Sequence, residues 1–448
     1  MSISNLERQT VIDVAADGYG VIRPKDLPAV LIPFAIDNEV VDIHITHRKR
    51  QVWYGEIKNL HLPSPHRVTP QCTHFGLCGG CRWQMMDYQY QLHHKRRFVE
   101  QALHHIGKLE VPVPPVIPSP QVWRYRNKAE YAFGYNDANE VVLGFHPRGA
   151  FDQVLGIEQC WLMPAIFEEI RLTVLEQVKL LGLTPYNPRT HKGLLRSLLI
   201  RGTEERCIAL LSIAENRPEI VETVFAPLRH KLQGYGYFHN PKRNDSLSDL
   251  TPHPLHGDLT LEYQVKERCY RLGPKDFFQV NLSQAANLVE WIRQRMDQKV
   301  PALYDLYGGV GLFAVGLADK ADTVFLVEKL PEAVQNAQSN LQANQSHFPQ
   351  TTWRAVSGSV ETTLSETVRI AEGAVAIVDP PREGLHPKLR RFLARGAFDK
   401  IVYVSCHPAT QARDIAELHQ FYQVTEVQPF DLFPHTTGIE NVVIMKRR

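Results

Sequence analysis

The stretch ALYDLYGGVGLFAVG (residues 302–316) decides the fold of this chain. An apolar run typical of a buried strand passes through a glycine-rich turn into a pattern typical of a helix. Because Gly308, Gly309 and Gly311 lack Cβ atoms, the backbone of the turn can approach a bound ligand closely. The stretch therefore predicts a cofactor site at the start of an α/β sheet.

Two classes of cofactor fit this turn. Glu328 ends the next apolar run (residues 323–327), where its carboxylate can accept hydrogen bonds from ribose hydroxyls. Gly309, Gly311 and Ala314 also satisfy a weak G-x-G-x-x-A dinucleotide pattern, so a nicotinamide cofactor is a competing prediction. A purely structural turn is the third interpretation, and the presence of Glu328 disfavours it.

Strand-like and helix-like stretches alternate through the rest of the C-terminal third. Apolar runs at residues 374–378 and 400–404 are separated by a helical pattern, which favours a parallel, doubly wound sheet. Two strand-like runs, residues 422–429 and 441–446, close the chain and predict a terminal hairpin on that sheet. This ending favours the methyltransferase variant of a Rossmann-like α/β fold over the dehydrogenase variant.

Three residues with chemistry of their own follow or flank these strands. Asp379 comes at the carboxyl end of one strand, where open α/β sheets place their ligand crevice. Cys406 follows the next strand, where helix-start amides and Arg382 or Arg413 can favour the reactive thiolate. Glu440 precedes the last strand and can face the crevice as a general base. A buried core thiol and a surface carboxylate are the alternatives for Cys406 and Glu440.

Four cysteines form a ligand-like set: Cys72, Cys78, Cys81 and Cys160. Structural zinc sites usually come as two C-x-x-C-like pairs, whereas three bunched cysteines plus one remote cysteine suit an iron–sulfur cluster better. Zinc is the main alternative, and inert thiols are the third. Cys207 and Cys269 stand in apolar or strand contexts, so we expect them in the core.

The remaining patterns predict two further domains. Residues 1–64 contain five short β-rich runs with turn signals between them, which predicts a small barrel or sandwich. Residues 65–265 carry the cysteine loop, the proline-rich linker VPVPPVIPSP (residues 111–120) and mixed strand and helix patterns, which predicts a central α+β domain. The α/β domain then occupies residues 266–448.

Composition restricts the partners. Fifty Lys and Arg residues nearly balance 48 Asp and Glu residues, so nucleic-acid contacts must rest on local basic patches. The run Lys95 to Arg97 and the residues Arg124, Arg126 and Lys128 are candidates for phosphate contacts, and Phe277 is a candidate for base stacking. No apolar run reaches the length of a bilayer span, and the N-terminus lacks a secretory core. We therefore expect a cytoplasmic protein that does not contact membranes.

Taken together, these segments resemble the uracil-carbon-5 RNA methyltransferase family over nearly the whole chain. SCHPATQARD (residues 405–414) is similar to the nucleophile motif of the family, and VDPPREG (residues 378–384) is similar to its Asp-Pro-Pro-Arg motif. DFFQVN (residues 276–281) resembles the segment before the glycine turn, and WRYRNK (residues 123–128) resembles the motif after the cluster loop. The β-rich start is similar to the TRAM domain, a small RNA-binding barrel.

The resemblance implies methyl transfer from S-adenosylmethionine to carbon 5 of a uridine in RNA. It implies that Cys406 is the nucleophile and that Glu440 is the base that removes the carbon-5 proton. The residues that it implies around the methyl donor are Gln279, Tyr307, Glu328 and Asp379. The residues that it implies around a four-iron, four-sulfur (4Fe-4S) cluster are Cys72, Cys78, Cys81 and Cys160.

Two positions depart from the family pattern. Leu312 stands where the family often has a polar residue that touches the donor, and Gly438 replaces a residue that is often histidine. The second departure puts the orientation of Glu440 in doubt.

The sequence leaves the substrate and some rival functions open. The pairing of a TRAM-like domain with a cluster favours large-subunit ribosomal RNA, with transfer RNA as the alternative, and no obligate protein partner is evident. A nicotinamide-dependent dehydrogenase would leave Cys406 and Glu440 without a role. A radical enzyme that uses the same donor usually spaces three cysteines as C-x-x-x-C-x-x-C, and Cys72, Cys78 and Cys81 do not have this spacing. A non-catalytic RNA-binding protein would not need Cys406 and Glu440.

Overall fold

A computed structural model of the chain describes residues 4–150, 152–296, 298–367 and 370–448. Residues 1–3, at the start of the first predicted domain, lie outside the described residues. The strands form four sheets, of six, seven, two and seven strands. In the described part of the chain, none of the helices has both the length and the apolar character that a membrane crossing requires.

The N-terminal sheet has six strands: β1 (Asn5–Thr10), β2 (Asp13–Val14), β3 (Gly20–Ile22), β4 (Ala29–Ile32), β5 (Val40–Arg48) and β6 (Val52–Leu62). Their order is β1-β5-β6-β4-β3-β2. Five strands were expected, and the sixth arises because the chain around residues 10–14 contributes to two strands. Val11, Val30 and Ile43 are buried together on one face, as the alternating pattern of β5 predicts. A small β-domain is therefore present, and its identity as a TRAM domain stays a prediction.

The central part joins helices to a second sheet. Helix α1 (Tyr88–Gln101) continues as a π-helical turn, Ala102–Ile106, and α2 (Ala165–Leu180) and α3 (Pro218–Phe225) follow. The strands are β7 (Lys128–Tyr135), β8 (Val141–Phe145), β9 (Leu155–Gly156), β10 (Leu195–Gly202), β11 (Cys207–Ile213), β12 (Gly234–His239) and β13 (Pro252–Gly257). Their order is β13-β12-β11-β10-β7-β8-β9, and only β11 and β12 pair in parallel among the ladders of this sheet.

A two-stranded hairpin leads into the last part of the chain. Its strands are β14 (Leu261–Val265) and β15 (Arg268–Leu272). The predicted domain boundary at residue 265 falls in the turn of this hairpin. Tyr263 and Tyr270 of the hairpin are buried in the same apolar cluster as Leu303 of the C-terminal sheet. The three-domain division stays a prediction.

The C-terminal sheet has the predicted doubly wound form. Its strands are β16 (Val300–Leu306), β17 (Ala321–Glu328), β18 (Thr352–Ser357), β19 (Val375–Val378), β20 (Lys400–Ser405), β21 (Tyr422–Phe430) and β22 (Glu440–Arg447). The helices are α4 (Leu282–Gln294), α5 (Leu312–Gly316), α6 (Pro331–Ala343), α7 (Val360–Thr367), α8 (Pro387–Leu393) and α9 (Pro408–Leu418). The strand order is β18-β17-β16-β19-β20-β22-β21. Five strands are joined by parallel ladders, and β22 pairs antiparallel with both β20 and β21, so the terminal hairpin is confirmed.

Candidate active site

Four of the predicted site residues lie at one edge of the C-terminal sheet. Tyr307, Asp379 and Cys406 directly follow β16, β19 and β20, which are neighbouring parallel strands. Glu440 opens β22, whose antiparallel ladder places the residue after Glu440 opposite the residue before Cys406. This register brings Glu440 opposite Cys406, although 33 residues of chain separate them in the sequence.

Cys406 lies in the short turn between β20 and α9. The ring of His407 caps this helix and accepts a hydrogen bond from the Thr410 amide at 3.3 Å. Burial raises the pKa of the half-buried Cys406 thiol to about 11, and the carboxyl groups of Glu440 and Asp379 act in the same direction. The charge of Arg382 and a hydrogen bond from it oppose this shift. This shift favours the thiol form of Cys406 at neutral pH.

Of the two cations predicted to stabilise the thiolate, one is in place. Arg382 faces the thiol, but Arg413 donates to the carboxylate of Asp414 at 2.7 Å and to the carbonyl of Glu383 at 2.8 Å. Assigning Arg413 to the thiolate was wrong, because a buried carboxylate on the same helix takes its guanidinium. Asp414 also accepts hydrogen bonds from Tyr403 and from the amide of residue 385, both at 2.7 Å. It thereby ties the loop that carries Arg382 to helix α9.

Two carboxyl groups, Glu440 and Asp379, act on the nucleophile, and a third, Asp305, acts on Asp379. Burial raises the pKa of Glu440 well above its usual range, and the carboxyl group of Asp379 adds to this while Arg382 opposes it. Burial also raises the pKa of Asp379 to about 7, and Asp305 adds to that shift. One carboxylate oxygen of Glu440 and one of Asp305 lack a hydrogen-bond partner among the described residues. Such groups, with pKa values far from normal, suit proton transfer or a cationic ligand.

Asp305 was missed as a site residue. Burial raises the pKa of Asp305 to about 7, and its other oxygen accepts a hydrogen bond from the Ala314 amide at 2.8 Å. The signal that could have found it is an acid inside an otherwise apolar strand that ends at the glycine turn.

The glycine turn is built for close backbone approach. Position 308 requires glycine, because an added Cβ would lie 2.6 Å from Cγ of Leu326. Gly311 has φ of 90° and starts α5, and Tyr307 also has a positive φ, of 64°. The carboxylate of Glu328 accepts a hydrogen bond from the Gly309 amide at 3.1 Å. The structure therefore places Tyr307 and Glu328 at the predicted cofactor turn.

The remaining predicted donor residue, Gln279, and the two departures, Leu312 and Gly438, lie in separate segments of the chain. Gln279 is buried, and its carbonyl accepts a hydrogen bond from the Asn127 side chain at 2.9 Å. Leu312 is buried in the apolar cluster under the sheet, which explains an apolar residue there. At Gly438 an added Cβ would lie 3.0 Å from the ring of Phe433. A histidine at position 438 would therefore crowd this loop.

The four predicted ligand cysteines line one cavity of about 540 Å³. Burial raises the pKa of Cys81 to about 12 and that of Cys160 to about 11, with smaller contributions from the neighbouring thiols. No three His, Cys, Asp or Glu side chains of the described residues are arranged to hold a metal ion. Cys207 is buried in β11, as the sequence predicts, whereas Cys269 is only half-buried in β15 and does not belong to the core.

The basic run on α1 does not form the predicted phosphate site. Lys95 is buried and pairs with the buried Asp431 at 2.6 Å. Arg96 donates to the carbonyl of Val113, and Arg97 forms an ion pair at 2.9 Å with Asp13 of the N-terminal sheet. These cations hold parts of the chain together, and sequence alone could not show which way they point. By contrast, Phe277 is 71% exposed, as a stacking surface requires.

Comparisons with known proteins agree with this geometry. A family sequence pattern described as tRNA (Uracil-5-)-methyltransferase matches residues 256–448. A protein of Bacteroides thetaiotaomicron, described as an uncharacterized RNA methyltransferase, is 34% identical over 97% of this chain and 100% of its own length. A similarly described protein of Porphyromonas gingivalis is 33% identical over 98% of this chain and 99% of its own length.

A solved structure shares the arrangement of nearly the whole chain. The Pyrococcus abyssi tRNA (uracil-54, C5)-methyltransferase, in complex with S-adenosyl-L-homocysteine, superposes with a TM-score of 0.78 at 26% identity. The superposition covers 98% of this chain and 99% of the Pyrococcus chain.

Proposed function

The chain belongs to the RNA (uracil-5-)-methyltransferase family, and we propose that Cys406 forms the covalent bond through which a uridine of RNA is methylated at carbon 5. The observation that carries this proposal is the register that sets Cys406 opposite the buried Glu440. Family membership removes the dehydrogenase interpretation of the glycine turn. It also removes the non-catalytic alternative, which gave this nucleophile and carboxylate no role, and the radical-enzyme alternative, whose usual cysteine spacing this chain lacks.

The residues around Cys406 fit a cationic methyl donor. S-adenosylmethionine supplies an electrophilic methyl group on a positively charged sulfur. Burial raises the pKa values of Asp305, Asp379 and Glu440, and the guanidinium of Arg382 opposes the shift of Glu440, so a positive ligand would stabilise the ionised forms of the three carboxyl groups. Glu328 ends β17 beside the glycine turn, where it can hold ribose hydroxyls. Tyr307 and Gln279 complete the proposed donor site.

The proposed reaction balances at each step. The Cys406 thiolate adds to carbon 6 of the uracil, and the displaced electron pair makes carbon 5 nucleophilic. Carbon 5 then takes the methyl group, and the carbon–sulfur bond of the donor breaks. The carboxylate of Glu440 removes the proton from carbon 5. The electrons of that bond rebuild the double bond and expel the thiolate.

A fluorinated substrate tests the nucleophile. RNA with 5-fluorouridine at the target position, incubated with the protein and S-adenosylmethionine, should form an adduct that survives denaturing electrophoresis, because fluorine cannot leave as a proton does. The Cys406→Ala variant should form none. Cys269→Ala is the matched control, since this half-buried cysteine lies in β15, and it should trap RNA like the wild type. Absence of the wild-type adduct, or its persistence in Cys406→Ala, would contradict the proposal.

We further propose large-subunit ribosomal RNA as the target, on the strength of the predicted TRAM-like domain beside the cysteine cavity, and a cytoplasmic location. Transfer RNA is the second candidate, because it is the substrate of the Pyrococcus enzyme that covers nearly the whole chain. Mapping 5-methyluridine in both RNA classes from a strain without this gene separates them. Loss of the modification from transfer RNA alone would contradict the ribosomal assignment.

We propose that Cys72, Cys78, Cys81 and Cys160 hold a 4Fe-4S cluster. Each thiol of such a site binds a different iron, so the four sulfurs stand farther apart than around one zinc ion. The cavity is also lined by Arg126 and Lys128, and Nε of the former is buried without a partner among the described residues. These cations suit a cluster whose thiolates leave it negatively charged. They would bind and orient the group and take no part in methyl transfer.

Metal analysis tests the cluster. Protein purified without oxygen should contain iron and sulfide and absorb visible light, and Cys81→Ser should lose both features. The control Cys269→Ser should retain them. Stoichiometric zinc in place of iron would contradict the cluster and favour the zinc alternative.

A further inference from the structure

The loop between β21 and β22, residues 431–439, ends at Glu440, and we call it the base loop. Its first half is held by the central part of the chain. Lys95 forms the buried ion pair with Asp431 at its start and also donates to the carbonyl of Phe433 at 3.0 Å. The hydroxyl of Tyr125 donates to the carbonyl of the next residue at 3.1 Å. Three anchors within four residues thus fix the approach to the candidate base.

His435 is the fourth anchor. Its carbonyl accepts hydrogen bonds from the amides of Arg82 at 3.0 Å and Trp83 at 3.1 Å. Its own amide donates to the side-chain oxygen of Gln91 at 2.9 Å. Its ring stacks on Trp123, with ring centres 3.7 Å apart and planes inclined by 19°. Because φ of His435 is 65°, a left-handed value that non-glycine residues rarely adopt, these contacts hold a strained turn.

Glu440 depends on this loop for its position. One of its carboxylate oxygens has no hydrogen-bond partner among the described residues, so side-chain hydrogen bonds do not fully fix the carboxyl group. Its main chain is fixed on one side by the ladders of β22 and on the other by the base loop. A shift of the base loop therefore displaces the carboxylate, whereas Cys406 belongs to a different strand and turn.

We infer that His435 is a positioning residue for Glu440, and that the cysteine loop holds it through the amides of Arg82 and Trp83. This inference rests on the proposed role of Glu440 as the base. Cys81 immediately precedes Arg82 in the chain, so the structure at the cysteine cavity and the geometry of the base loop are mechanically linked. The cysteine site then has a function in catalysis: it keeps the base in register with the nucleophile.

Separating the two covalent steps tests the inference. With ordinary RNA and S-adenosylmethionine, His435→Ala should form the Cys406 adduct at close to the wild-type rate. It should resolve the adduct about 10- to 100-fold more slowly, the cost expected for a misplaced catalytic group, so the adduct should accumulate on a denaturing gel. His435→Asn should resolve the adduct at a rate between those of the wild type and His435→Ala, because asparagine tolerates a positive φ but cannot stack on Trp123.

The control matches both residue type and backbone. His191 is an exposed histidine with φ of 57°, so His191→Ala makes the same substitution at a similar conformation away from the site. This variant should resolve the adduct like the wild type. Wild-type resolution by both His435 variants would overturn the inference. Thermal unfolding of each variant identifies a folding failure, and in that case the His435→Asn result decides.

Hydrogen exchange gives a readout that does not depend on activity. Amides of the base loop should exchange at least about 10-fold faster in His435→Ala and in Cys81→Ser, because both variants loosen contacts that protect the loop. They should be unchanged in His191→Ala. Unchanged exchange in Cys81→Ser would overturn the link to the cysteine loop. Failure of the wild type to trap 5-fluorouridine RNA would instead refute the proposed function and leave the exchange result standing.

Discussion

At neutral pH, Cys406 of the unliganded protein should be almost entirely a thiol. Burial, reinforced by the carboxyl groups of Glu440 and Asp379, raises the pKa of Cys406 to about 11. About one thiol in 10,000 is then ionised at pH 7, against about one in 30 for an ordinary cysteine with a pKa of about 8.5. The free protein should therefore react with a thiol reagent about 300-fold more slowly at Cys406 than a free cysteine does.

The perturbation that tests this reasoning is one positive charge. S-adenosylmethionine and S-adenosylhomocysteine differ by one methyl group and by the charge on sulfur. An opposite charge close to an acid lowers its pKa by about 1 to 3 units, so the methyl donor should raise the reactivity of Cys406 at pH 7 by about 10- to 1,000-fold. The neutral product should leave that reactivity nearly unchanged. The structure thus predicts a nucleophile that becomes reactive only when the donor is bound.

The assay is alkylation of Cys406 by iodoacetamide, followed by mass spectrometry from pH 6 to pH 11. In the free protein the rate should rise about tenfold per pH unit up to a pH near 11, because only the thiolate reacts. Asp379→Asn should move the profile to lower pH, and Arg382→Met should move it to higher pH, since these residues raise and lower the pKa of Cys406 respectively. A half-maximal rate below pH 8.5 in the free protein, or equal effects of the two ligands, would refute the reasoning.

Three further substitutions test other parts of the site. Glu440→Gln should accumulate the covalent adduct with ordinary RNA and lose about 10²- to 10⁴-fold in turnover, the usual contribution of a general base, and rapid turnover would rule out its role. Lys95→Met should lower the free energy of unfolding in urea by about 3 to 5 kcal/mol, because Asp431 would stay buried without its partner. A loss below about 1 kcal/mol would show that this pair is not desolvated. Gly308→Ala should abolish calorimetric binding of S-adenosylhomocysteine, because its Cβ would lie 2.6 Å from Leu326, and wild-type affinity would mean that the turn relaxes.

The elements of the C-terminal sheet were predictable because each has a local signal. The run at residues 400–404 is observed as β20 at Lys400–Ser405, and the run at residues 441–446 is observed as β22 at Glu440–Arg447. Buried strands between helices give continuous apolar runs, and turn residues mark the ends of these runs. The N-terminal sheet was harder, because its strands are short and the chain around residues 10–14 supplies two of them.

The direction of charged side chains was not predictable. Lys95 stands in a basic run and Arg413 follows Cys406 closely in the sequence, yet Lys95 is buried against Asp431, and Arg413 pairs with Asp414. A helix pattern gives the face on which a residue lies, but the partner of its charge is set by the folded chain. Lys95 and Asp431 are 336 residues apart.

The sequence by itself determined which chemical groups the protein has: a thiol after one strand, a carboxylate before another, a glycine turn and four cysteines. Only the tertiary structure decided that Cys406 and Glu440 face each other, because β22 enters the sheet between β20 and β21 in a register that long-range packing sets. The same packing buries both groups and raises the pKa of each, since loss of water penalises their charged forms. The strand register and the burial of these two polar side chains belong to the folded chain, and no local pattern of residues encodes them.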